Sequence, residues 1–137
     1  MSARNVELVK SGYEAFARGD VPAVLEVMTE DIEWYEAEGM PYGGLYHGGN
    51  EVVEKVFGPI LTDVENFAVT PEEFIAAGDT VAVVTRYSGT GKATGNELDL
   101  AVVHVWDVRD GKLARFRQFA DTAKFLEVVP ADVATTA

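Results

Sequence analysis

The chain is 137 residues long and 47% hydrophobic, and its 23 acidic against 11 basic side chains leave a formal net charge of −12. That length and apolar share suit one packed domain and exclude a disordered chain, while the charge repels phosphate backbones and anionic lipid, so neither nucleic acid nor membrane is an expected partner. The absence of cysteine removes disulfides, thiolate metal sites and cysteine nucleophiles; a polar N-terminus and the lack of any apolar run near the ~20 residues of a membrane span point to a soluble, cytoplasmic protein.

Val6, Val9, Tyr13 and Phe16 recur at spacings of three and four and mark one face of a first helix, ended by Gly19. Asp20 caps a second helix, with Pro22 tolerated in its first turn and Val21, Val24, Leu25 and Met28 on its apolar side. Residues 31–36, Asp-Ile-Glu-Trp-Tyr-Glu, alternate and read as a short strand. Gly39, Pro41, Gly43, Gly44, Gly48 and Gly49 then predict a long loop without regular structure. Asn50 caps a third helix over 51–61, with Val52, Val53, Val56, Phe57 and Ile60 on its apolar face. Beyond it the period falls from helical to alternating. Strands are expected over 67–77, where Pro71 marks an edge or a bulge, then over 80–88, 97–108 and 113–120. Asp121 caps a last helical turn with Thr122, and 130–137 reads as a flexible tail after a single domain at 1–129. Helices first and a strand meander after them give α+β rather than α/β.

The final hairpin decides which side chains share a face. A three-residue loop at Arg109-Asp110-Gly111, with Gly111 left-handed and a bulge, pairs Val108 with Lys112, His104 with Phe116 and Val102 with Gln118. His104, Trp106, Phe116 and Gln118 then share one face, and Val103, Val105, Leu113 and Phe119 the other. A two-residue turn at Asp110-Gly111 sets His104 beside Arg117 instead. The second face is too apolar to stay fully wet, which predicts a homodimer.

Several segments carry a resemblance. They are Tyr13-Glu14-Ala15-Phe16-Ala17-Arg18-Gly19-Asp20, Asp31-Ile32-Glu33-Trp34, Gly44-Leu45-Tyr46-His47-Gly48, the run from His104 to Lys112, and Arg115-Phe116-Arg117-Gln118-Phe119-Ala120-Asp121. Over residues 5–128 the chain resembles the nuclear transport factor 2-like superfamily, and within it the SnoaL-like branch. The resemblance implies a strongly curved, mixed or antiparallel sheet wrapped as a cone (a cystatin-like roll) around three N-terminal helices. It also implies a pocket for a small hydrophobic molecule and a homodimer. It is specific for fold and not for function, since the superfamily hosts isomerases, cyclases, epoxide hydrolases and non-catalytic binders.

Residue by residue, the pocket His and Asp of SnoaL-like cyclases look like His104 and Gln118. In limonene epoxide hydrolases the catalytic Asp falls on Gln118, the Arg-x-Asp pair on Arg86-Tyr87-Ser88, a Tyr near Trp34 and a water-binding Asn near Glu36. In ketosteroid isomerases the base falls near Glu36, the oxyanion-stabilising acid near His104, and the oxyanion Tyr on Gly12 rather than Tyr13. Ser88 and Gln118 cannot act as general bases, which leaves at most a degenerate epoxide-hydrolase-like protein and half of a cyclase pair.

Each candidate also has a structural reading. Glu36 is either a solvated strand-end residue or a general base whose pKa an apolar cavity raises. His104 is either a hydrogen-bonded core histidine or a catalytic one; with Glu36 in one cavity it would form an ionised pair and give a bell-shaped pH profile. Arg86 pairs with a carboxylate or binds a ligand oxygen, and Gln118 is a structural amide or a ligand donor. Trp34, Trp106 and Phe116 are core aromatics or ligand contacts, and His47 is loop surface. No histidine pair has metal-ligand spacing and no phosphate-binding glycine motif occurs, so neither metal nor cofactor is expected. The leading expectation is a cofactor-free isomerase or cyclase, with Glu36 as base and His104 and Gln118 stabilising an oxyanion. The alternatives are a non-catalytic small-molecule binder and a structural dimer module.

Overall fold

The computed structural model describes residues 2–135. In chain order it holds α1 (Ser2–Ala17), α2 (Val21–Glu26), β1 (Met28–Glu36), β2 (Gly44–His47), α3 (Gly49–Val52), a π-helical turn (Val53–Phe57), α4 (Gly58–Asp63), β3 (Val64–Ala77), β4 (Thr80–Gly91), β5 (Glu97–Arg109), β6 (Lys112–Ala120) and α5 (Thr122–Val128). The strands form one curved sheet in the order β2-β1-β6-β5-β4-β3, antiparallel throughout except where β1 runs parallel to β6. The α+β class and the mixed sheet over N-terminal helices are as the sequence implies.

α1 turns Val9, Tyr13 and Ala15 inward and stops at Gly19, which takes a positive φ of 71°. Asp20 caps α2 by accepting from the Ala23 N–H at 3.1 Å. Met28, expected on that helix, starts β1 instead. Its spacing from Val24 fits a helix, but the Val27 carbonyl accepts from the Leu113 N–H at 2.8 Å and commits the chain to the sheet. β2 corrects the expected loop. Tyr46 and Leu45 pair with Trp34 and Tyr35 of β1, since an open sheet edge recruits even a glycine-flanked tetrapeptide. Gly48, with φ at 82°, precedes α3, so Asn50 sits inside the helix and not at its cap. The third helical segment is longer than expected and widens into the π turn just ahead of Pro59, which has no N–H to give to the preceding turn. Val52, Val56, Phe57 and Ile60 remain inward across it.

The β5–β6 hairpin adopts neither expected register. Asp110 and Gly111 both have positive φ, 52° and 74°, giving a two-residue turn that pairs Arg109 with Lys112. A bulge between Asp107 and Val108 then shifts the ladder by one more residue, so His104 faces Gln118 and Trp106 faces Phe116. The two offsets together preserve side-chain parity, and His104, Trp106, Phe116 and Gln118 still share the concave face. The bulge also turns Leu113 inward to 1% exposure, which removes it from the outer face. At the C-terminal end, within the segment expected to fray, Thr135 donates its N–H to Asp63 at 2.8 Å; Thr136 and Ala137 lie outside the described residues.

Candidate functional site

Strands and helices together aim side chains into one cavity of the concave face. β1 places Trp34 and Glu36 two residues apart, hence on the same side of the strand. β5 adds His104 and Trp106, and β6 adds Phe116. α1 crosses above with Tyr13 and Phe16, while β4 contributes Tyr87 from its inner row of Val81, Val83, Thr85 and Tyr87. The cavity measures about 60 Å³, and among the described residues Glu36 is the only carboxylate in its wall. That is room for a few waters or a very small molecule, so a larger ligand requires side chains to move. Phe16 and Phe67 are half-buried on this wall with rings 6.3 Å apart, and Phe16 also meets Phe57 at 5.2 Å.

Glu36 is 2% exposed and accepts a hydrogen bond from Trp34 Nε1 at 2.9 Å. Burial pushes its carboxyl up to about 7, against smaller downward pulls from the Trp34 indole and the Gln118 amide. Among the described residues no Lys or Arg forms an ion pair with it. The apolar surroundings therefore disfavour its charge, and the two hydrogen-bond donors restore only part of what burial costs. The solvated strand-end reading does not hold.

His104 stands between two phenols. The Tyr13 hydroxyl lies 2.6 Å from Nδ1 and the Tyr87 hydroxyl 2.7 Å from Nε2. Burial alone brings the ring down to about 3. The same burial holds both phenols protonated, far above the ordinary tyrosine range. The structure thus brings Glu36 and His104 to one cavity but does not pair them: each is pushed towards neutrality by its own burial. Among the described residues the two form no ion pair, where the sequence predicts an ionised one. Around this core, Trp106 Nε1 donates to Tyr13 at 2.9 Å and Gln118 Nε2 donates to Tyr87 at 2.9 Å. Gln118 Oε1 accepts from the Ala37 N–H at 3.1 Å, so this amide sits behind Tyr87 rather than in the cavity wall.

Trp34 and Phe116 stack with centroids 3.7 Å apart, and Trp106 packs on Phe116 at 4.6 Å, so the expected aromatics are at once core and wall. Arg86 is elsewhere. It points from the outer face of β4 to Asp99 at 2.6 Å, exposed, and is not available to a ligand in the cavity. Asp121 caps α5 by accepting from the Lys124 N–H at 3.1 Å, and His47 is exposed beside Glu33. Tyr13 and Tyr87 join the site without a motif of their own; the one sequence signal for Tyr87 is its place in the alternation of β4, between the more conspicuous Arg86 and Ser88.

The family model described as a SnoaL-like domain matches residues 9–116. The chain belongs to this family. An NTF2-like protein from Burkholderia thailandensis superposes on the SnoaL-like domain with a TM-score of 0.87 and 35% identity, covering 90% of this chain and 95% of that one. TerC, co-crystallised with polyporic acid, gives 0.83 and 32%, covering 91% of this chain and 97% of its own. A putative SnoaL-like polyketide cyclase from Jannaschia gives 0.80 at 20% identity, over 95% and 94%, a likeness of fold. Comparison with curated proteins gives no match.

Proposed function

We propose that this SnoaL-like domain is a cofactor-free enzyme that moves a proton next to a carbonyl on a small apolar, oxygenated molecule. The observation that carries the reading is Glu36, a buried carboxyl at about pKa 7 in an otherwise apolar wall. A base with that pKa is half ionised at neutral pH and matched to general acid–base work, typically worth about 10²–10⁴ in rate. Ionised Glu36 takes a proton from the carbon beside the carbonyl, and the C–H electron pair moves to make an enolate. Where a C=C bond of the substrate is conjugated with the enolate, the carboxylic acid returns the proton at the far end of the conjugated system, giving the isomer with a shifted double bond. Alternatively, the enolate carbon attacks a second carbonyl of the same molecule and closes a ring; the C=O π pair becomes an alkoxide, which takes the proton back from the Glu36 carboxylic acid. Phenolic hydroxyls of Tyr13 and Tyr87, not His104 or Gln118, are the donors within reach of the developing oxyanion. His104 acts through them as a positioning residue.

The relative co-crystallised with polyporic acid supports an organic ligand for this cavity, and the fold shared with a putative polyketide cyclase supports carbonyl chemistry. The same reading has the protein act as a cytoplasmic homodimer. A second reading, a non-catalytic binder, is favoured by one observation: the ring nitrogens of His104 and the amide oxygen of Gln118 are already taken by protein partners. Incubation with a panel of cyclic ketones in heavy water separates the two. Deuterium entering a ketone, and slowing by about 10²-fold or more in Glu36→Gln, is the expected result. No exchange above the uncatalysed rate in any ketone favours the binder.

A further inference from the structure

Four hydrogen bonds run in line along the cavity wall, from Trp106 to Tyr13, Tyr13 to His104, His104 to Tyr87 and Tyr87 to Gln118, at 2.9, 2.6, 2.7 and 2.9 Å. Both ends of the line are fixed as donors. An indole nitrogen can only donate. The Gln118 amide is oriented by Ala37, whose backbone N–H requires Oε1 as acceptor, so the NH₂ side faces Tyr87. Each phenol oxygen therefore accepts from outside, and two bonds to the imidazole remain. Three hydrogens compete for those two bonds, one on each phenol and one on the neutral ring. The ring donates at one nitrogen and accepts at the other. It uses the hydrogen of one phenol and leaves that of the other outside the line. Among the described residues neither hydroxyl has a further acceptor, and both tyrosines line the cavity.

We propose that the His104 tautomer is a two-position switch that frees the hydroxyl hydrogen of Tyr13 or of Tyr87, one at a time, for the acceptor oxygen of a carbonyl ligand. The proposal rests on reading this cavity as a carbonyl site. With the proton on Nδ1, the ring donates to Tyr13, Tyr87 donates to Nε2, and the Tyr13 O–H is free. With the proton on Nε2 the roles reverse. The site then accepts one carbonyl oxygen in either of two positions, but not two oxygens together. The free O–H belongs to an oxygen that already accepts two hydrogen bonds, which polarises it and strengthens it as a donor. Freeing both hydroxyls requires an imidazolium, which the burial of His104 opposes.

The test uses Tyr13→Phe and Tyr87→Phe, singly and together, with cyclohexanone as the probe. Nitrogen-15 spectra of His104 should find the proton on Nδ1 in Tyr87→Phe and on Nε2 in Tyr13→Phe, because the buried N–H keeps whichever phenol acceptor remains. Cyclohexanone affinity should fall by less than about threefold in each single variant, where the surviving phenol turns outward, and by about tenfold or more in the double. Neither readout needs turnover, so an intact tautomer split without proton transfer sinks the proposed activity alone. The same tautomer in both single variants, a full loss of affinity confined to one of them, or no binding of cyclohexanone to the unaltered protein would overturn the switch.

Discussion

Trp34 and Glu36 are two positions apart on one strand, and that spacing sets the chemistry of the site. The indole N–H donates to Glu36 at 2.9 Å and, with a smaller pull from the Gln118 amide, favours the ionised form against the burial that opposes it. Trp34→Phe keeps a ring in place but removes the donor, so the midpoint of Glu36 should rise above about 7 and the pH profile of exchange should move up with it. A profile left in place would mean that the indole does not govern the carboxyl. His104 is tied to two phenols and in van der Waals range of Phe116, with ring centroids 4.7 Å apart. His104→Ala therefore opens a void and strands two buried hydroxyls. The expected loss is on the order of 3 kcal/mol in urea denaturation, and a loss under about 0.5 kcal/mol would contradict the packing described.

Among the elements, those with strong periodicity were legible and those fixed by partners were not. α1 and the long strands follow directly from their apolar spacing. β2 was invisible because its Gly-Leu-Tyr-His sequence has little strand character of its own; it exists because β1 offers it an edge. The start of β1 was hidden for the same reason, since only β6 tells Met28 that it is not helical. In the last hairpin, two one-residue offsets left the facing parity of His104, Trp106, Phe116 and Gln118 intact, so all four face the concave side despite an incorrect register. Leu113, beyond the bulge, did not. The turn depends on Asp110 and Gly111 both holding positive φ. Gly111→Val puts a β-branched side chain there and should cost about 1 kcal/mol or more, read from thermal or urea unfolding, whereas Asp110→Gly should be tolerated. Equal stability for the two variants would contradict the turn.

For the whole molecule, two buried groups set opposing pH slopes. Glu36 has its folded pKa raised from 4.5 to about 7, so its contribution is intact below about 4.5 and is lost as pH rises through 7. His104 has its folded pKa lowered from 6.5 to about 3, so its contribution is intact above 6.5 and is lost as pH falls towards 3. Between about 4.5 and 6.5 the slopes cancel, which predicts a stability plateau there. Glu36→Gln should abolish the decline above it and stabilise the protein at pH 8 by on the order of 3 kcal/mol, as measured by urea midpoints across pH. On the outer sheet face Val103, Phe119 and Ile75 remain 36%, 49% and 52% exposed, and Tyr35 packs beside Phe119 at 6.2 Å. A dimer through this face should give a light-scattering mass near twice 14.8 kDa, and a mass near 14.8 kDa would exclude it. The most direct test of the central claim is a carbon-13 titration of the Glu36 side-chain carboxyl in the intact protein. A midpoint near 7 is expected, and a midpoint near the ordinary 4.5 would contradict Glu36 as the base.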